Sequence, residues 1–327
     1  MKRVVLVCVI LGVFAGTLFA GGGGQQQGAT FTPSRSVDFH VSSGPGGGSD
    51  IYSRVISDII AREGFTTVPI TVINNTDGAG NINRVQVSNA TGVVANHSFL
   101  AMNAGDVVTM IRPTPLRVEN FRAIAILAAD KHLLYGPPNH RYTTFPQIVD
   151  AINRGERLTA GAARMGDDEV VYDRLMAQMG WNSDNLAFVG YTSSAEAITA
   201  VLGGHIDFTF SKPAATDPFV VAGQIIPIVA FATERFGGNL ASAPILSELG
   251  YNNVEFPLFR GILAPPTMTD EAVEYWGNVL RRVIETPAWK ENYIQRFLAT
   301  EMAVFGRDAD EVYARHQAVM LRELGLD

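Results

Sequence analysis

Beyond Val37 the apolar residues recur in two alternating patterns. Short β-branched runs with few charges give way to longer stretches whose apolar positions stand three and four apart, the alternation of an α/β chain with mostly parallel sheets. Residues 37–42 are the first predicted strand. A glycine-rich turn leads from it to a helix capped by Ser49 or Asp50, with Ile51, Val55, Ile56, Ile59 and Ile60 on one face. Residues 70–74 form the next strand, the turn 75–81 opens a polar helix, and 98–102 form a third strand. Apolar segments at 123–127 and 133–135 follow, and the spacing places a crossover between two lobes near Ala129.

The second lobe repeats the alternation. A strand at 158–162 is followed by a polar turn at 164–168, a helix to Met179 and a strand at 186–189. Ser193 and Glu196 then read as a reciprocal capping box for a helix that stops at Gly203 and Gly204. Strands at 206–210 and 225–232 flank a helix near 217–222. The tail reads as three helices: one from Thr269 or Asp270 to Glu285, one begun by Pro287, and one boxed by Asp308 and Glu311 that ends at Gly325. No internal repeat is present.

Composition narrows the picture. With 327 residues, 47% of them apolar, the chain can fill two sizeable cores. Charged residues make up 17%, and 25 Lys and Arg face 32 Asp and Glu, so a basic face able to hold nucleic acid by its phosphates is not expected. Lys2 and Arg3, the apolar stretch 4–18 and Ala20 form the pattern of a secretory signal cleaved after Ala20. Removing those two cations moves the formal charge from −7 to −9, and the lone Cys8 leaves with the signal. The organisation read from the chain is therefore a signal at 1–20, a Gly/Gln tether at 21–34, a first lobe at 35–129 and 233–327, and a second lobe at 130–232.

Candidate chemistry concentrates at the turns. Gly44-Pro45-Gly46-Gly47-Gly48-Ser49-Asp50 lies between a strand and a helix, where backbone N–H groups and the helix dipole suit a carboxylate or phosphate. It lacks the lysine of a P-loop and the spacing of the dinucleotide fingerprint, and a bare tight turn is the plainer alternative. Gly78-Ala79-Gly80-Asn81 matches a dinucleotide turn at two glycines only. Ser193 and Ser194 offer hydroxyls and helix-start donors that would face the first loop if the lobes close on each other, or alternatively form a plain helix cap. Asp50 and Arg54 read first as an i, i+4 ion pair. Asp167, Asp168 and Glu169 suit a solvated helix start, or alternatively a ligand ammonium.

Enzyme signatures are missing. The nucleophile elbow and the two-histidine zinc helix are absent, and His40, His97, His132, His140, His205 and His316 have no ligand spacing. No cofactor and no metal are expected. An α/β enzyme acting on a phosphorylated small molecule and a binding protein that signals to a membrane receptor remain the rival readings.

Pro45 to Asp50 with Arg54, Val72-Ile73-Asn74-Asn75 and Gly78 to Ile82 together resemble the opening of the tripartite tricarboxylate transporter substrate-binding proteins, the Bug family. Phe188-Val189-Gly190-Tyr191, 197–204 with Asp207, 243–251 and 261–266 resemble later blocks in the same order. The resemblance covers nearly all of the chain after the signal. It implies a type II periplasmic-binding-protein-like α/β fold, with a ligand cleft between two lobes, that captures a di- or tricarboxylate, acidic amino acid or aromatic acid. It further implies a periplasmic monomer that delivers this ligand to two integral-membrane transporter subunits. Carried over by position, the ligand loops are Gly46, Gly47, Gly48, Ser49 and Asp50, then Thr192, Ser193 and Ser194. Gly78, Ala79, Gly80, Asn81 and Asn103 are placed near the cleft. Arg164 and Asp167 depart from the family's small residues in the second-lobe turn, and Ser193 replaces a glycine. From these departures Asp167 or Asp168 is expected to favour a ligand with an amino group.

Overall fold

The computed structural model describes residues 31–327, which form one compact unit. The expected signal and most of the tether lie outside the described residues. The chain runs β1 (Val37–Val41), α1 (Gly48–Glu63), β2 (Ile70–Asn74), α2 (Asn81–Ser88), α3 (Gly92–Ala95), β3 (Ser98–Asn103), α4 (Ala104–Ile111) and β4 (Arg122–Asp130). It continues through β5 (His132–Gly136), α5 (Phe145–Asn153), β6 (Leu158–Ala163), α6 (Asp167–Met179), β7 (Leu186–Tyr191), α7 (Ser194–Leu202), β8 (Phe208–Ser211), α8 (Pro213–Val221) and β9 (Ile226–Phe231). The last elements are β10 (Leu258–Ala264), α9 (Asp270–Glu285), α10 (Pro287–Trp289), β11 (Thr300–Phe305) and α11 (Arg307–Leu324).

Two sheets result, ordered β11-β4-β10-β3-β1-β2 and β7-β6-β8-β5-β9. The chain crosses between them at Asp130–His132 and again along the segment from β9 to β10. The expectation of mostly parallel sheets holds only in part. β2, β1 and β3 are parallel, as are β7, β6 and β8, but β10 runs antiparallel to both β3 and β4, and β5 runs antiparallel to β8 and β9.

The tail therefore contains two strands besides its helices. β10 is a buried central strand, and its apolar run carries no alternation to announce a strand. The expected Asp308–Glu311 capping box does not form. Gly306 caps α11, Asp310 accepts from Ala123 N, and Glu311 lies 3.6 Å from Arg307. The helix expected near 217–222 begins earlier, at Pro213, whose missing N–H and fixed φ suit a first turn.

Packing locks the strand ends in place. Trp276 on α9 meets Phe99 edge-on at 5.1 Å and donates to Asn96 O, while Trp289 stacks on Tyr293 at 4.7 Å beside Tyr52 of α1. A continuous apolar cluster runs from α4 and α11 on the first sheet to α5 and α6 on the second. No helix among the described residues is long and apolar enough to cross a membrane.

β10 leaves no room for a larger residue at Gly261, where a Cβ would stand 2.6 Å from Ala125 O and closer still to the Tyr313 hydroxyl. Gly261→Ala is expected to cost about 1–3 kcal/mol by overpacking. Urea melts check this, and an unchanged midpoint would show β10 to be loosely held.

Candidate functional site

Each parallel strand of both sheets delivers the chain, at its C-terminal end, into a turn that starts a helix, the side of an α/β sheet where ligands bind. The starts of α1, α4, α6, α7 and α8 surround one cavity of about 80 Å³. A water needs about 10–15 Å³ by this measure, so the space matches roughly half a dozen waters, the scale of a small organic acid. Gly47 caps α1 with backbone alone, and its N–H donates to Gly44 O at 3.1 Å. The first-turn N–H groups at Gly48 and Ser49 have no intrahelical acceptor, and the helix dipole adds to their pull on an anion.

Arg260 supplies a full charge at the same point. β10 sets it opposite Asn103 on one side and Ala128 on the other, beside a register shift that re-aims the strand. Its Nε pairs with Asp130 Oδ2, and its Nη1 lies 3.4 Å from Ser49 Oγ. Nη2 has no hydrogen-bond partner among the described residues, and a Cβ added to Gly48 would stand 2.5 Å from it. Burial alone would lower the affinity of this guanidinium for its proton, but Asp130 outweighs burial and raises it. Asn103 completes this corner by donating to Ser49 Oγ at 3.0 Å, and it forms a true capping box with Asp106. Arg84, wholly buried, is neutralised by Asp106 at 2.6 Å.

The second lobe contributes a buried charge cluster. Lys212 Nζ donates to Asp167 Oδ2 and to Asp168 Oδ1, each at 2.8 Å, and His132 Nε2 stands 2.6 Å from Asp167 Oδ2. Burial would raise the Asp167 carboxyl, but Lys212 and His132 outweigh it and hold the group well below the usual carboxylate range. Burial, aided by Asp167 alongside, pushes Asp168 up instead. His132, Asp167 and Asp168 bring three ligand-type atoms within 4.8 Å of one another, yet the lysine ammonium already bridges the two carboxylates. The cation of this cluster is the protein's own.

The two lobes touch around the cavity. Cβ positions at Gly44 and Gly46 would meet Ser193 Oγ at 3.4 Å and Ala195 Cβ at 3.5 Å, and Thr109 Oγ1 reaches Met165 O at 3.0 Å. Of the residues expected from sequence, Gly47, Gly48, Ser49, Ala79, Asn103, Asp167, Thr192, Ser193 and Ser194 line the cavity. Gly46, Asp50, Gly80 and Asn81 do not line it. Asp50 accepts from Gly46 N, Arg54 and Asn74, and so braces the glycine loop. Asn81 donates to Gly78 O and Thr109 O and accepts from Arg84. Gly78 borders a shallower depression at the mouth, shared with Arg164 and Thr192.

The Ser193–Glu196 box is half made. Ser193 Oγ accepts from Glu196 N, while the Glu196 carboxylate turns to Thr192 N and Oγ1. Asp167 also differs from expectation, since its Oδ2 is taken by Lys212 and His132. Sequence reasoning missed Arg260, Lys212 and His132. The available signal was a single charge inside each of two apolar runs, 258–264 and 208–212.

The Lys212 ammonium is held by both aspartates. Burial would lower its value, but Asp167 and Asp168 outweigh burial and raise it, so its stabilising effect is in full force below the unfolded lysine pKa of about 10.4 and is lost on passing above its folded value. Lys212→Met leaves two buried carboxylates side by side, and is expected to cost about 3–5 kcal/mol at about pH 7. Because one of the two then titrates above its unfolded value, the deficit should shrink as the pH falls to about 4. Urea melts at both pH values measure this. An equal deficit at the two would show that the cluster does not carry the charges assigned to it.

The model of the tripartite tricarboxylate transporter family receptor, TctC, matches residues 54–317. No curated protein sequence matches the chain. Among similar solved structures is the periplasmic binding protein BugD, 18% identical, covering 90% of this chain and 99% of that one at a TM-score of 0.79. MatC from Rhodopseudomonas palustris, solved with bound malate, is 16% identical over 88% and 98% of the two chains at a TM-score of 0.76. A second Rhodopseudomonas palustris protein, solved with adipate, is 18% identical over 90% and 96% at a TM-score of 0.75. At these identities the likeness is one of fold, and it is the α/β fold of periplasmic binding proteins with two sheets. With its family model matched over most of its length, the chain belongs to the tripartite tricarboxylate transporter family receptors.

Proposed function

We propose that this protein is an extracytoplasmic solute-binding protein that captures a small carboxylated metabolite between its lobes and presents it to the membrane subunits of a tripartite tricarboxylate-type transporter. The observation that carries the reading is Arg260 Nη2, a buried guanidinium nitrogen without a partner, set against the start of α1. A buried charged donor left unpaired is costly, and an incoming carboxylate would satisfy it together with the Gly48 and Ser49 N–H groups. The malate and adipate in the two Rhodopseudomonas palustris structures support the same ligand class here.

Binding, rather than chemistry, suits the hydroxyls of the cavity. Ser194 Oγ faces Asp168 Oδ2 at 3.4 Å and Ser193 Oγ accepts from Glu196 N, so neither is set against a histidine base. In the mechanism, the open form takes the acid on the first-lobe loop and Arg260. The α7 start then swings onto it, and closure excludes water and orients the ligand. The closed surface is what the transporter reads, in the periplasm.

The test is a thermal-shift screen of protein freed of carried ligand by unfolding and refolding, against dicarboxylates, tricarboxylates, acidic amino acids and aromatic acids. At about 100 times its Kd, a ligand of the folded form adds about 2.7 kcal/mol, a rise of roughly 5 °C or more. Gly48→Ala, whose Cβ displaces the buried Arg260 Nη2, is expected to cost about 1–3 kcal/mol by overpacking and, in the fraction that remains folded, to bind roughly 10- to 100-fold more weakly. A flat response to every acid would sink the reading.

A further inference from the structure

The cleft has an excess of donors. Every carboxylate that borders it is already engaged: Asp106 accepts from Arg84 and from Asn103 N, and Asp167 Oδ2 accepts from Lys212 and His132. Asp167 Oδ1 accepts no hydrogen bond among the described residues and is hemmed in by Gly105, where an added Cβ would collide with it. Asp168, just behind, is divided between Lys212 and Ser194. Donors, by contrast, stand open. Among the described residues Arg260 Nη2 has no partner, and the N–H groups at Gly48, Ser49, Ser194 and Ala195, in the first turns of α1 and α7, lack intrahelical acceptors, while at the mouth Arg164 and Asp77 offset one another in charge.

A carboxylate brings only acceptors and fits this surplus. An α-amino acid brings in addition an ammonium, with three donors and no acceptor. Inside the cleft that ammonium would meet the cations Lys212 and Arg260, and each lining carboxylate already has its charge countered by a cation of the protein, so the ammonium would be buried without a counter-charge of its own beside like charge. The two aspartates that could have received it have been given a cation of the protein's own.

We propose that the cleft selects acids that carry no amino group, and that Lys212, by holding the carboxylates of Asp167 and Asp168, is the residue that sets this selectivity. The inference rests on the solute-binding reading above and reverses the amino-group preference expected from the sequence. Lys212 acts through the two aspartates and does not itself need to touch the ligand.

Calorimetric titration of the ligand-stripped protein with matched pairs tests it: succinate and aspartate, glutarate and glutamate, adipate and 2-aminoadipate, 3-phenylpropionate and phenylalanine. In whichever pair binds, the amino member should be weaker by about tenfold or more. Lys212→Met should narrow or invert that ratio, and Lys212→Arg should keep it. Equal or tighter binding of the amino member by the unaltered protein overturns the inference while upholding the solute-binding reading. A folded Lys212→Met with an unchanged ratio also overturns it. Should that variant fail to fold, the ratios of the unaltered protein still decide. Failure of every acid in every pair overturns the solute-binding reading, and this inference with it.

Discussion

The ion pair between Arg260 and Asp130 is the constraint on which the rest of the cleft depends. Both groups are buried, and Asp130 ends β4 at the point where the chain leaves the first sheet for the second. Removing two charges from water costs several kcal/mol per ion, and a pair of this kind is weak as a source of stability. What it supplies is orientation. With Nε tied to Asp130 and Nη1 against Ser49, the planar guanidinium has one edge left, and that edge faces the glycine start of α1. Tyr52 OH to Arg260 O, at 3.3 Å, fixes the backbone beneath it.

The same place couples the lobes. Asp130 and His132 stand two residues apart on either side of the crossover, one bound to the first-lobe Arg260 and the other to the second-lobe Asp167. A ligand can shift an open–closed equilibrium only through contacts that differ between the two forms. In the proposed mechanism, an acid on Arg260 and the α1 start gains the α7 start only on closure. The lobes already meet at this loop, where Ser193 and Ala195 come within ordinary contact of the Cβ positions of Gly44 and Gly46.

Much of this was legible in the sequence, and the part that was not has a physical cause. Strands β1, β2 and β6 and helices α6, α7 and α9 follow from apolar spacing, and the end signal Gly325 adopts, after α11, the left-handed backbone that favours glycine. The glycine loop and the α7 start were found because turn chemistry is local. β10 was not, because a strand buried on both faces has no alternation, and Arg260 and Lys212 were missed with it because their partners lie 130 and 45 residues away. Asp167 was misjudged for the same reason: a helix-start acid looks solvated until the lysine and histidine that claim it are placed in space.

An acidic protein proposed to take up anions looks at first like a contradiction, with a formal charge of −7 over the whole chain. Distance resolves it. At physiological ionic strength exposed charges more than about 8 Å apart are largely screened, so the acidic surface contributes little inside the cleft. Buried groups are screened far less, and there the local count governs. Each carboxylate at the cavity is matched to a guanidinium, an ammonium or an N–H, whereas Arg260 Nη2 and the helix-start amides are not. The proposed anion affinity therefore rests on which hydrogen-bonding groups remain unpaired at the cavity and not on the net charge of the molecule.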